Sequence, residues 1–210
     1  MTRSTYDAAK RAVDLIAASA ALVVSLPLQL LIAVLVWRDV GRPILFRQAR
    51  PGKDGQVFNL VKFRTMHAPT PTLVSDDDRL TPLGRLLRAY SLDELPSLWN
   101  VITGEMSLVG PRPLLVQYLN RYNARQARRH EVRPGLTGLA QISGRNGLDW
   151  QSRLELDVIY VDTRSWALDV RILWGTVGKV LRREGISAEG EATMPIFTGS
   201  QAEEVADEGR

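Results

Sequence analysis

Hydrophobic positions are spread unevenly along this chain. Residues 15–36, LIAASAALVVSLPLQLLIAVLV, hold 22 consecutive uncharged positions. At about 1.5 Å per residue a helix of that length measures roughly 33 Å, close to the ~30 Å hydrocarbon core of a bilayer. The run exceeds the apolar region of a secretory signal and no small-x-small cleavage site follows it, so it is expected to remain as a membrane segment. Nothing else in the sequence is apolar enough to span. Pro27 has no N–H and its ring clashes with the Val23 carbonyl, which predicts a bend, and the Ser25 hydroxyl can bond a freed carbonyl. Arg3, Lys10 and Arg11 precede the run and Arg38, Arg42, Arg47 and Arg50 follow it, so the positive-inside rule asks both flanks to face the cytoplasm. Proline and charge leave two topologies open: a kinked single span, and a helix that re-enters the leaflet it came from.

Past Trp37, an interface anchor by type and place, the period changes. Residues 43–48 and 56–63 read as strands of a β-hairpin around ARPGKDGQ, ending in VKFRTM. HAPTPTLVSDDDR reads as a polar loop. In PLGRLLRAY, Leu83, Leu86, Leu87 and Tyr90 share a helical face, with Arg85 and Arg88 off it. Residues 114–130 read as a helix carrying Arg121, Arg125, Arg128 and Arg129, and VRPGLTGLAQISGRNG as a glycine-rich loop. Residues 150–160 and 165–183 read as two further helices. On the last, Val170, Leu173, Trp174, Val177 and Leu181 form an apolar stripe. Core is the commoner role of such a stripe; a membrane-surface face is the sharper reading, given Trp174 near Arg171, Lys179 and Arg182.

Charge sharpens the division. The formal net charge is +4, yet residues 184–210 hold seven acids and one base, Arg210, so the other 26 bases and 16 acids put residues 1–183 at +10. This surplus points to an anionic partner: phospholipid, nucleic acid or a phosphorylated small molecule. Arginine supplies most of it, and its planar fork suits phosphate. Cysteine is absent and the two histidines, His67 and His130, lie far apart. Disulfide frameworks, thiolate zinc sites and cysteine nucleophiles are thereby excluded, and a Ser-His-Asp triad is poorly supplied. The acidic tail, residues 184–210, is expected to be disordered.

In this basic chain SLDELP, residues 91–96, sets Asp93 beside Glu94 ahead of Pro96. Ser91 and Glu94 have capping-box spacing, but Pro96 fits only the first helical positions, so a helix here should begin near Asp93, not Ser91. A chemical reading makes one carboxylate a nucleophile toward phosphorus. The other then ligates a hard ion such as Mg²⁺, which takes one or two carboxylates and keeps phosphate oxygens and waters. Like charges 4 Å apart cost about 1 kcal/mol in water and about 4 kcal/mol at an effective dielectric of 20, so cations must offset the approach. Arg88, Arg112 in GPRP and Arg145 in SGR stand in suitable places. Asp76, Asp77 and Asp78 include a D-x-D similar to the metal motif of nucleotide-sugar glycosyltransferases, although a solvated loop is its commoner role.

In order and spacing, KFRTM, GRLLRAYSLDELPSLWNVITGEMSLVGPRP, RPGLTGLAQISGR, LELDVIYV and SWALDVRIL resemble the bacterial sugar transferase family, the monotopic phosphoglycosyl transferases, over about residues 5–183. The resemblance implies transfer of a sugar 1-phosphate from a UDP-sugar to undecaprenyl phosphate or another polyprenyl phosphate, with release of UMP. The place implied is the cytoplasmic face of the bacterial inner membrane, and the step is the first membrane step of glycoconjugate or exopolysaccharide assembly. It implies a ping-pong mechanism in which Asp93 forms a covalent phosphosugar intermediate and Glu94 is the Mg²⁺-associated partner. Arg88, Arg112 and Arg145 match phosphate-holding positions. Lys62, Arg64, Asp157 and Asp169 match motif positions with a substrate-site or structural role. Family members of this size have a re-entrant helix broken at an adjacent Ser-Pro, whereas here Leu26 separates Ser25 from Pro27.

The expected fold is thus α+β and monotopic. Residues 1–40 form the re-entrant membrane helix, and residues 41–183 a catalytic domain with a small β-hairpin and amphipathic interfacial helices. Membrane lipids then account for the +10 without nucleic acid. Two rivals stand beside this reading: a glycosyltransferase that uses Asp76–Asp78 for its metal and releases UDP, and a basic membrane adaptor without chemistry. Neither the sugar nor a homo-oligomeric state is readable from these motifs.

Overall fold

Helix α1 (Arg3–Val40) is one uninterrupted element of 38 residues in the computed structural model, which describes residues 3–144, 148–182 and 196–199. It is long and apolar enough to cross a membrane. Val23, Val24, Leu26, Leu30 and Leu31 on it are exposed. Apolar surface of this extent is costly in water, and it marks a membrane-associated chain. The expected break at Ser25 and Pro27 is not an interruption of the helix. Ser25 Oγ donates to Ala21 O at 2.6 Å, not to the Val23 carbonyl that Pro27 leaves without a donor, and Gln29 Nε2 donates to Ser25 Oγ at 2.9 Å. Back-bonding to the preceding turn satisfies these polar groups inside helical geometry.

Strands β1 (Leu45–Pro51) and β2 (Val57–Phe63) pair antiparallel, with Leu45 opposite Phe63 and Pro51 opposite Val57. The hairpin therefore continues three residues past the expected end of its first strand, as far as the turn closed by Gly52 N donating to Gln56 O at 2.7 Å. The expected polar loop contains a short helix, α2 (Asp76–Arg79), whose N-cap is Ser75. Helix α3 (Pro82–Ala89) starts where the sequence predicts, with Pro82 in its first turn and Thr81 Oγ1 accepting from Gly84 N at 2.9 Å. Its Leu87 packs with Ile32 and Val36 of α1 and Phe63 of β2. That packing needs Gly84, because a Cβ there would lie 2.1 Å from Thr65 O. Gly84→Ala is expected to cost about 1–3 kcal/mol through overpacking. Denaturant unfolding of the purified variant checks this, and an unchanged midpoint contradicts it.

A 3₁₀ turn (Leu92–Ser97) leads into α4 (Leu98–Thr103). These two elements cover the free edge of β2 with side chains where a third strand would lie. Ser97 Oγ donates to Val61 O at 2.6 Å, Asn100 Nδ2 donates to Asn59 O at 2.8 Å, and Val61 N donates to Asn100 Oδ1 at 3.1 Å. Strand-edge groups are thereby satisfied, and the SLDELP turn is fixed against β2.

Strands β3 (Ser107–Val109) and β4 (Gly135–Thr137) form a short parallel pair. The backbones meet so closely that a Cβ on Gly135 would lie 2.1 Å from Gly110 N. The single helix expected over residues 114–130 is instead a 3₁₀ turn (Val116–Arg121), helix α5 (Ala124–Ala127) and a second 3₁₀ turn (Arg128–Glu131). Asn123 forms a capping box with Gln126, so a new helix starts where the pattern predicts continuation. Helix α6 (Leu139–Ser143) occupies part of the expected glycine-rich loop, followed by α7 (Trp150–Thr163) and α8 (Trp166–Arg182). The apolar stripe of α8 is not core. Ile172 and Asp169 face inward, whereas Val170, Leu173, Trp174, Val177 and Leu181 are exposed, Trp174 by 72%.

Both ends of α1 are tied to this one body. Near the N-terminus, the Tyr6 hydroxyl donates to Asp169 Oδ2 at 2.7 Å and Lys10 pairs with the same carboxylate at 2.9 Å. Arg11 donates to Val101 O and Ile102 O at 2.6 and 2.8 Å, in the last turn of α4. Asp14 accepts from Ser107 Oγ at 2.7 Å. At the other end, Thr81 Oγ1 donates to Asp39 at 2.5 Å, and Val40 is buried against Phe63.

Candidate active site

The SLDELP turn is not the cap its spacing suggests. Ser91 is left-handed (φ 55, ψ 23), its side chain caps nothing, and the turn opens at Leu92, one residue before the expected start. A non-glycine residue in that region is uncommon and costs energy, which fixing the turn on β2 offsets. With the capping box unmade, Glu94 is used elsewhere. Its Oε1 accepts from Lys62 Nζ at 2.6 Å and from Arg112 Nη2 at 2.7 Å.

Asp93, one residue away, is treated differently. It is 7% exposed, and its carboxylate takes no hydrogen bond or ion pair among the described residues. Burial, and then the charge of Glu94, push its pKa up, against the pull of Lys62, Arg88 and Arg112. Glu94 shifts the other way: burial works against its charge, but Arg112 and Lys62 outweigh it and hold the carboxyl well below the usual range. Two adjacent carboxylates thus sit in unlike environments, one neutralised and one uncommitted.

Three cations converge on this pair from separate elements. Lys62 comes from β2. Arg88, in the last turn of α3, donates from Nε to Thr65 Oγ1 at 3.0 Å and forms no ion pair among the described residues. Arg112 stands between Pro111 and Pro113, and its carbonyl accepts from Arg129 Nη2 at 2.6 Å. Arg129 pairs in turn with Asp157 Oδ2 at 2.7 Å, with side chains only 2% and 3% exposed. All line a cleft of about 1840 Å³ that also reaches Ala21, Val24 and Ser25 of α1.

Among the described residues, no three acidic or imidazole side chains converge as a metal cage. The site suits an ion that brings its other ligands with it. Mg²⁺ takes one or two carboxylates and fills its shell with phosphate and water oxygens. Since Glu94 Oε1 already serves two cations, Glu94 Oε2 and the Asp93 carboxylate are the donors on hand. Asp76–Asp78 make the first turn of α2 instead: Asp78 N donates to Ser75 Oγ at 3.1 Å and Asp76 pairs with Arg79 at 3.2 Å.

Residues 5–183 match the family described as bacterial sugar transferase. The chain belongs to the bacterial sugar transferase family. EpsL of Bacillus subtilis, described as an uncharacterized sugar transferase, is 50% identical over 194 residues, covering 91% of this chain and 96% of that protein. The UDP-glucose:undecaprenyl-phosphate glucose-1-phosphate transferase of Caulobacter vibrioides is 41% identical over 194 residues, 86% of this chain and 73% of that protein. The undecaprenyl-phosphate galactose phosphotransferase of Salmonella typhimurium is 36% identical over 198 residues, 84% of this chain but 41% of that longer protein.

In this sugar transferase the candidate residues separate by position. Lys62, Arg88, Asp93, Glu94 and Arg112 meet in the cleft. Arg64 lines it too, but its guanidinium donates to Met66 O at 2.9 Å and Arg42 O at 3.1 Å. Asp157 reaches the cleft wall as the buried partner of Arg129. Asp169 is remote from these groups: it accepts from Tyr6 and Tyr160 and pairs with Lys10, a latch for α1. Arg145 lies outside the described residues. Sequence reasoning missed Thr65, Ser97, Asn100 and the supporting role of Arg129. A signal for two of them existed, since Ser97 and Asn100 are polar positions three apart in LPSLWNVI, on one helical face.

Proposed function

We propose that this chain moves a sugar 1-phosphate from a UDP-sugar to a polyprenyl phosphate of the undecaprenyl type and releases UMP. The observation that carries the reading is the unequal pair: Glu94 Oε1 is held by Lys62 and Arg112, while Asp93 beside it, in a cationic cleft, has no hydrogen bond or ion pair among the described residues. Two relatives whose names specify this kind of transfer to undecaprenyl phosphate agree with it. An Asp93 oxygen attacks the phosphorus that carries the sugar. The bond from that phosphorus to the bridging oxygen breaks, its electron pair stays on that oxygen, and UMP departs. Asp93 is left as an acyl phosphate bearing the sugar. A phosphate oxygen of the lipid then attacks the same phosphorus, the bond to Asp93 breaks, and the carboxylate is restored.

Lys62 and Arg112 hold Glu94 in place, and Arg88 and Arg112 offer N–H groups to the phosphates, with Arg145 assigned to the same task by family resemblance. Mg²⁺, which Glu94 and Asp93 would hold, neutralises charge on the diphosphate when bound. Incubation of the purified chain with a panel of UDP-sugars, undecaprenyl phosphate and Mg²⁺ tests the reading. UMP is expected; UDP, or no nucleotide release with any sugar, contradicts it.

The same reading places the catalytic domain at the cytoplasmic face of the inner membrane, with α1 dipping into one leaflet and returning. What supports re-entry is that polar anchors at both ends of α1, Lys10 and Arg11 at one and Asp39 at the other, bind one body. The exposed stripe of α8, with Trp174 beside Arg171, supports an interfacial seat. Accessibility tags at Met1 and Arg210 are expected to report the same side of the membrane, and Pro27→Leu to shift molecules toward crossing. Opposite sides in the native chain contradict re-entry.

A further inference from the structure

We infer that Arg50, together with Arg112 and Arg153, forms a second phosphate pocket at the hairpin end of the cleft, which takes the phosphate attached to the nucleoside, the one that departs with UMP. The inference rests on the transfer reaction proposed above and names where its leaving group is held.

Arg50 lies near the end of β1. Its Nη1 donates to Pro113 O at 3.2 Å and its Nη2 to Gln48 Oε1 at 2.6 Å, both neutral acceptors. Its Nε is buried with no acceptor, and no carboxylate pairs with Arg50 among the described residues. Burial, and then the charge of Arg112, pull the Arg50 pKa down to about 10, against a weaker upward pull from Tyr118 and Glu94. Arg153 of α7 lines the same cleft. Its guanidinium lies 5.4 Å from the centre of the Trp150 ring, and burial, then Arg112, lower its pKa as well. Trp150 meets Tyr118 edge to face at 5.6 Å, and both rings line the cleft with the three arginines.

Holding a desolvated cation beside like charge is unfavourable unless an anion joins them. The carboxylate that faces Arg50, Glu94, is already committed to Lys62 and Arg112. A substrate phosphate is the anion that completes the set, and guanidinium forks match its oxygens. Two substrate phosphates could supply it, one on the nucleotide and one on the lipid. Placement favours the nucleotide. Strand β1 leaves α1 at Leu45, which lines an apolar groove with Leu26, Leu30 and Pro43. Arg50 is five residues farther along the strand, about 17 Å at 3.4 Å per residue. A lipid whose chain occupies that groove presents its phosphate at the near end, leaving the far end to the nucleotide.

The test uses the full chain in lipid nanodiscs, with Arg50→Gln and the conservative Arg50→Lys. Calorimetric titration with UMP gives affinity, and steady-state kinetics give separate KM values for UDP-sugar and undecaprenyl phosphate. Arg50→Gln is expected to weaken UMP binding at least about tenfold and raise the UDP-sugar KM comparably. The KM for undecaprenyl phosphate stays put, and Arg50→Lys recovers part of the loss. An unchanged UMP affinity overturns the inference, as does a KM increase confined to undecaprenyl phosphate, which assigns Arg50 to the lipid phosphate. Equal losses toward both substrates with a lowered unfolding midpoint assign it a merely structural role and also overturn it. Wild-type UMP release, measured in the same kinetics, leaves the parent reaction standing under any of these three results; a wild type that releases no UMP defeats the parent reading and this one with it.

Discussion

Asp93→Asn is expected to lower UMP release on the order of 10⁴-fold or more, the scale seen when a nucleophile is removed from a catalytic group that acts as a unit. The amide matches the carboxylate in shape but has no oxygen able to form the acyl phosphate. Stability should respond in the opposite sense. Burial and Glu94 raise the pKa of Asp93, so its charged form is unfavourable in the fold, and neutral asparagine relieves that. The sign follows from proton linkage: between the ordinary value of 3.8 and the raised folded value, the folded state binds more protons than the unfolded state. Through that window Asp93 adds stability as pH falls, and above it the charge costs stability. The wild type should therefore melt no higher than Asp93→Asn at pH 7. Its kcat/KM for UDP-sugar should fall with acid around a pKa above the usual carboxylate range. Thermal melts of both proteins and a pH–rate profile check this; a variant that melts well below the wild type, with activity retained, contradicts it.

Asp157→Ala is the second large effect. It strands the Arg129 guanidinium in a nearly inaccessible position, where losing one partner of a buried pair costs about 3–5 kcal/mol. Activity falls with it, because Arg129 also donates to the Arg112 carbonyl, and Arg112 holds Glu94. A double replacement separates stability from positioning. Arg129→Met with Asp157→Leu removes both charges and is expected to recover most of the stability, since apolar residues can replace a buried pair without loss. It should not recover turnover, because the Arg112 carbonyl then lacks its donor. Urea unfolding and UMP release measure the two quantities, and a double variant with full activity contradicts a positioning role for Arg129.

Features set by neighbours in the chain were legible from the sequence, and features set by distant partners were not. The hairpin, α3, α7 and α8 follow from local period and capping, as Thr81 ahead of Pro82 illustrates. The helix expected over residues 114–130 fails for a local reason outweighed in the reading, the Asn123 capping box. Helical hydrogen bonding runs on through Pro27 because one missing N–H does not end a helix whose turns are satisfied on either side. The stripe on α8 had the period of a core face. Only the placement of Ile172 and Asp169 against the domain tells that its other side is open. The site was legible as a set, since motifs named Lys62, Arg88, Asp93, Glu94 and Arg112. The framework that holds it was not. That depends on Lys62 meeting Glu94 across 32 residues and Arg129 meeting Asp157 across 28, pairings without a local signature. The Tyr6–Asp169 bond, spanning 163 residues, likewise turns a candidate site residue into a latch.

The covalent role of Asp93 is tested most directly by the intact mass of the purified chain incubated with its UDP-sugar and Mg²⁺ in the absence of lipid acceptor. The account predicts a single added phosphosugar on the peptide containing Asp93, one equivalent of UMP, and loss of the adduct when undecaprenyl phosphate is supplied. Turnover with the lipid but no adduct without it, or an adduct that persists in Asp93→Asn, contradicts the account.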